Sequence, residues 1–470
     1  MTKIKRDFTE GPLFFRITLF ALPIMATGIL QVLYNMADSM IVGKFSSDPN
    51  ALAAVGSTGP VNNLLINLFM GIAIGAGIVV AQNFGAKRYS DVSDAAHTAI
   101  TFSLFIGIVL GTIGFIISPY ILSFIGIRPE FIDQSTLYMR IIMCGLPASS
   151  VYNFGASILR SVGDSKTPLI ILSLSGLLNV ALNLVFVLGF NMSVDGVALA
   201  TIVSQYLSAV IVVVLLVKRR GEPYSIKFKQ LKIHTRLLKR MLKIGVPSAL
   251  SSCMYSIANI AIMSAINTFP PASVSAYSIS SNIEGITYTS MNCFQQASMT
   301  FTGQNYGAKK NDRIKKVFIF SIIQVAFIGI LMGQTEILFG EQLANLYINA
   351  DDPNKALVIA ETQDLLKVML SCYFLCGIME VCSGALRGLG YATITLVNSL
   401  VFACAVRLIW IYLIFFKVDS LDTMSELVLA FPISWIITNT AHVLCILYIW
   451  RKEGIWKKRE KAPIAKSIGE

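Results

Sequence analysis

Thr27, Gln31, Tyr34 and Asp38 recur at spacings of four, three and four, so a helix carries them on one face. Asn35 lies beside that stripe. The surrounding residues, 13–42, are apolar over a length that crosses a bilayer. A charged side chain in hydrocarbon costs about 3 kcal/mol or more, so it normally faces a bundle interior or a wet cavity. A carboxylate so placed can load and release a proton near physiological pH. Together with Asn, Thr and backbone oxygens it can also hold sodium, and these two chemistries use the same residue types. The alternative is a solvated Asp at a helix end. The polar face leading to Asp38 favours the cavity.

Two further acids fall inside apolar stretches. Glu284 lies early in the segment 273–302, and Glu380 lies two turns before Arg387 in 360–384. Glu284 can meet a cationic cargo or serve as a hydrogen-bonding structural acid; Glu380 can do the same or pair with Arg387. Gln296 is a candidate for lining a cavity, with helix-to-helix hydrogen bonding as its alternative. The three His are isolated, and the eight Cys all fall in apolar stretches without a CxxC pair. No metal site, disulfide set or nucleophile-base cluster is legible, and no GxxxxGK[ST] phosphate loop is present. This reading expects neither an enzyme nor a bound cofactor.

The elements that position these residues are membrane helices. Of the 470 residues 55% are hydrophobic and only 14% charged, with mean hydropathy +0.68. That is too apolar, and too poor in charge, for a soluble globule of this length. Twelve spans are expected, at 13–42, 52–81, 95–125, 135–157, 167–190, 195–217, 240–267, 273–302, 315–340, 360–384, 391–416 and 427–450. Each is continuously apolar over about 20 residues, which indicates helices rather than barrel strands. Lys3, Lys5 and Arg6 precede a first span too long for a cleavable signal.

The net charge of +12 is a topology signal rather than a mark of nucleic-acid binding. Lys87, Arg88, Arg160, Lys166, Lys309, Lys310, Arg313 and Arg387 all fall in connections on one side of a twelve-span chain. So do the terminal basic residues and the segment 218–243, which carries ten Lys and Arg against Glu222 alone. The other side has little beyond Lys44, Arg128, Lys355 and Lys417, and its acid pairs Asp351-Asp352 and Asp419/Asp422 read as solvated. The positive-inside rule then puts both termini and 218–243 in the cytoplasm. Anionic lipid is a second use for that charge.

The chain repeats. Residues 81–88, AQNFGAKR, return at 303–310 as GQNYGAKK; 159–163, LRSVG, return at 386–390 as LRGLG. Pro23 returns as Pro247. The halves are 1–217 and 244–470, joined by the basic linker 218–243. Six spans each give both halves the same orientation, so the expected fold is all-α, with two six-helix bundles related by a pseudo-twofold axis along the membrane normal. Aligned through the prolines, Asn35 meets Asn259 but Asp38 meets Ile262; aligned through the Gln-Asn motifs, Glu284 meets Asn62. The loops repeat while the acids do not.

These loop motifs, with GDSKTP at 163–168, resemble the multidrug and toxic compound extrusion (MATE) family, from about Pro12 to Trp450. The resemblance implies a bacterial plasma-membrane efflux transporter that exports amphipathic, cationic drugs by antiport with protons or sodium. It also implies that Asp38 and Tyr34 act with Asn179 and Thr201, with Asn153 as a looser match. Asn183 stands where some relatives carry a second Asp, and span seven has no acid where other relatives have one. A related scaffold flips lipid-linked saccharides, the alternative kept here; a channel fits less well, because a duplicated fold with one carboxylate suits alternating access. The partners expected are small molecules and the bilayer, with no nucleic acid, and the chain is expected to be a monomer.

Overall fold

The computed structural model describes residues 7–45, 51–348, 353–418 and 421–456. Lys3, Lys5, Arg6, the tail cations from Lys457 onward, Asp351, Asp352, Asp419 and the side chains of Asn35 and Lys44 lie outside the described residues, while Arg451 and Lys452 end span twelve. Among the described residues the chain is helical, without strands. Twelve long rods run in the expected order. Spans one to six are Leu13–Phe45, Ala51–Gly85, Tyr89–Phe124, Ile132–Ser161, Lys166–Gly189 and Val194–Lys218; seven to nine are Thr235–Ile266, Pro271–Gly307 and Asn311–Leu338. Span ten joins Lys355–Ser371 to Tyr373–Leu389 through a 42° bend, and spans eleven and twelve are Ala392–Lys417 and Met424–Lys452. Span seven begins at Thr235, so Arg236, Lys239, Arg240 and Lys243 stand on a helix and not in a loop.

Ten of these helices are long and apolar enough to cross a membrane, and the bent pair makes eleven. Span eight is continuous but rich in Ser, Thr, Asn and Gln. Toward the basic end its polar side chains are turned inward, with Gln295, Thr300, Thr302, Gln304 and Asn305 buried, while Ser275, Ser278 and Asn282 near its start are exposed and bond back to their own helix. Leu, Ile and Phe side chains on the outer faces of spans three, nine and eleven stay exposed, as a lipid-facing surface requires.

The duplicated motifs are matched pieces of local geometry. Gly163 and Gly390 close spans four and ten at φ 92° and 96°, a left-handed position that glycine fills without a Cβ clash. In each copy the following residue donates back five positions, from Asp164 N to Leu159 O at 2.8 Å and from Tyr391 N to Leu386 O at 2.9 Å. Lys87 and Lys309, in the two Gln-Asn loops, share φ values of 57° and 56°.

The two bundles exchange their first helices in part. Near the basic end, span one and the residues leading into it pack on the other half: Phe8 stacks on Phe301 at 3.9 Å, and Gln324 donates to Phe14 O at 2.7 Å. Span seven does the converse, crossing span two so closely that a Cβ on Gly71 would lie 2.3 Å from Ala249 Cα. Toward the opposite end each returns to its own half. Tyr34 packs on Gly176 of span five, and Cys404 of span eleven donates to Met254 O at 3.1 Å. Small residues let these backbones approach where lipid supplies no hydrophobic drive between helices.

Candidate functional site

Span one brings Asp38 to span five, where Asn183 Nδ2 donates to its carboxylate at 2.5 Å. Asn183 is fully buried and uses its second amide hydrogen on Asn179 Oδ1 at 3.4 Å. Asn179 Nδ2 donates in turn to Thr201 Oγ1 on span six at 3.5 Å, and Thr201 donates to Val197 O at 2.9 Å. Asp38, Asn183, Asn179 and Thr201 therefore form one chain across three spans. It follows from the spacing of four between Asn179 and Asn183, which stacks them on one helix face. Asn183 Oδ1 is buried with no donor. Tyr138 of span four, which sequence reasoning missed, is buried within electrostatic reach of Asp38. Tyr34 completes the wall one turn away, donating to Ser173 O at 3.3 Å.

The other expected residues divide. Asn153 stays out of the chain: its amide donates to Ser149 O of its own span at 2.9 Å. Gln31 is exposed and Asn62 half-buried, with Asn62 Oδ1 unpartnered. Asn259 is joined to a residue outside the expected set, accepting from Arg407 Nη1 at 3.1 Å. Arg407 also donates to Ser434 Oγ at 3.1 Å and lies 4.6 Å from the centre of the Phe431 ring. Glu284 is half-buried, its Oε2 without a donor, within electrostatic reach of Arg407 and Glu336. Glu336 is itself buried. It was overlooked because it closes the apolar run of span nine, where an acid reads as an interfacial end. Glu380 is buried, accepts from Gln295 Nε2, and has Arg387 within electrostatic reach. Gln296 accepts from Arg160 Nη1 at 2.8 Å and so ties span eight to span four.

At the basic end the two Gln-Asn motifs interlock. Gln82 Nε2 donates to Gly388 O of the opposite half at 2.8 Å, and Gln304 Nε2 donates to Ser161 O at 2.7 Å. Ser161 and Gly388 are the same position of the two LRxxG motifs. The amide oxygens are used as well: Gln82 accepts from Arg240, and Gln304 accepts from Phe8 N at 3.0 Å. A Cβ on Gly85 would lie 1.9 Å from Gln304 O, and one on Gly307 the same 1.9 Å from Gln82 O. The repeated glycines thus permit a close backbone crossing of spans two and eight at this end.

A family model, MatE, matches residues 23–185 and again 247–413, one copy in each half. The chain belongs to the MatE family. MATE members are transporters and not enzymes, and they need no cofactor. This MATE chain is 29% identical over 382 residues to the probable multidrug resistance protein YoeA of Bacillus subtilis, spanning 79% of this chain and 81% of YoeA. It is 24% identical to the multidrug export protein MepA of Staphylococcus aureus over 82% and 83% of the two chains. Among solved structures, a MOP-superfamily transporter from Pyrococcus furiosus superposes with TM-score 0.87 over 97% of this chain and 99% of its own, at 22% identity. That likeness establishes the fold, a twelve-helix membrane protein of two bundles.

Proposed function

We propose that this MATE chain is a multidrug efflux antiporter of a bacterial plasma membrane, exporting amphipathic organic cations in exchange for protons or sodium. The observation that carries the reading is the chain Asp38–Asn183–Asn179–Thr201. Among the described residues no Lys or Arg pairs with Asp38. A carboxylate held by neutral amides stays available to an incoming cation. Asn183 is suited to both states of the acid: its NH2 faces the carboxylate, and a turned amide would offer its unused oxygen to a protonated Asp38. Loading then biases span one between two arrangements, which is what coupling requires.

The wider reading places the basic end, both termini and the linker 218–243 in the cytoplasm, with 1–217 and 244–470 as the two moving bundles of a monomer. The Gln82 and Gln304 bridges then close the cytoplasmic side, leaving the cavity to open outward. The names of YoeA and MepA support drugs as cargo. The test is transport by purified protein in liposomes under a proton or a sodium gradient applied separately. Transport of a cationic dye that neither gradient drives would remove the antiport reading.

A second reading, export of an anionic lipid-linked saccharide or metabolite, is favoured by one observation. Arg387 and Arg407 are buried and Arg160 half-buried, and the hydrogen-bond partners of Arg160 and Arg407 are neutral. Competition of an anionic against a cationic substrate in the same liposomes separates the two.

A further inference from the structure

The connection between spans six and seven is seated on the membrane-spanning body. Tyr224 and Ile226 are buried in the N-terminal core. Arg219 pairs with Asp164 at 2.7 Å at the start of span five. Beyond them the backbone is pinned to span three at two points. Lys227 N donates to His97 Nε2 at 3.0 Å, while His97 Nδ1 bonds Ser93 O at 2.7 Å; since a backbone N–H can only donate, Nδ1 carries the ring proton. Thr98 Oγ1 accepts from His234 N at 3.1 Å. His97 and Thr98 lie eight and nine residues into span three, about 12–14 Å along its axis. The segment between these pins therefore lies against the side of span three and not beyond its end.

Between the pins all seven side chains, Lys227 to Ile233, are exposed. They alternate charge with apolar bulk. Phe228 is 65% exposed, Leu231 38% and Ile233 37%, interleaved with Lys227, Lys229 and Lys232. In water this is a poor surface for a Phe and two aliphatic side chains. At a bilayer surface it is a good one: the apolar groups enter the headgroup boundary, and the lysines extend toward phosphate.

We propose that residues 227–233 are a lipid-headgroup site that holds the anionic leaflet against span three. The partner is an acidic phospholipid, because the segment 218–243 sets ten cations against Glu222 alone. The proposal is independent of the cargo and of the coupling ion.

The experiment uses the full chain in nanodiscs with Phe228→Trp, read as the fluorescence difference from the parent protein. Brominated-chain phosphatidylglycerol is expected to quench the added indole more strongly than the same fraction of brominated-chain phosphatidylcholine. Neutralising Lys227, Lys229 and Lys232 to Gln should lower the apparent preference for the acidic lipid by about tenfold or more, and high salt should weaken it. Thermal melting controls for folding; if Phe228→Trp itself unfolds the chain, Leu231→Trp replaces it. Equal quenching by both lipids would overturn the preference for anionic headgroups. An unquenched indole in a folded protein would overturn the membrane contact altogether and point to an acidic protein as partner.

Discussion

The two halves share a scaffold but not an interior. In the N-terminal half Asp38 meets Asn183, and through it Asn179 and Thr201, all neutral. In the C-terminal half Glu284, Glu336 and Glu380 share the interior with Arg387 and Arg407. At the basic end the halves match position for position, down to the carbonyls that Gln82 and Gln304 reach. Symmetry is kept where each half must close on the other. It is lost in the interior, where the two halves carry different acids and only the C-terminal one sets them among buried arginines. Asp38 has no Lys or Arg partner among the described residues, whereas Glu284, Glu336 and Glu380 lie among arginines in a polar surface with charges of both signs.

The sharpest way to break this contrast is Asp38→Asn, which fixes the neutral form while keeping size and hydrogen bonding. Gradient-driven efflux in liposomes should fall by about 100-fold or more, the scale of losing a positioned proton-transfer group, with thermal stability retained. Near-normal driven transport by the folded variant would remove Asp38 from coupling and equalise the halves. Asn183→Ala should cost less, since no charge is lost.

The symmetric part of the comparison is tested next. Gln82→Ala and Gln304→Ala each remove both hydrogen bonds that the side chain makes to the other half and leave a carbonyl unpaired, a cost of about 1–3 kcal/mol for that group. Each should shift the population toward an open basic end by about tenfold or more, read from the reactivity of a cysteine introduced in the closed crossing. Unequal effects would show that the matched geometry conceals unequal work.

A smaller effect is expected at Glu284. Glu284→Gln should weaken cationic substrates about tenfold more than neutral ones, because only the former lose a charge-assisted contact. Equal losses would make it a structural acid. The smallest is Asn153→Ala: its hydrogen bond stays within span four, so driven transport should change by no more than about twofold. A large loss would extend the N-terminal network beyond its observed limits.

Most of the fold was legible because spans announce themselves by composition, and the repeat by polar loop motifs that chance does not duplicate in order. Spacing put Tyr34 and Asp38 on one face of span one and Asn179 and Asn183 on one face of span five; that the two faces meet was implied only by the family resemblance. The placements that failed to show needed tertiary information. Asn153 has the right residue type in the right span, but its rotamer satisfies its own backbone. The 42° bend of span ten falls at Cys372 without a proline to mark it. Arg407 finds its partners on spans seven and twelve, far away in sequence.

The exchange of first helices has a consequence for how the protein is made. Synthesis runs from the N-terminus, so span one enters the bilayer long before Phe301, Thr289 and Gln324 exist to cover Phe8, Gly28 and Phe14 O. Six inserted helices are then a waiting intermediate whose seam is filled only when spans seven to nine arrive.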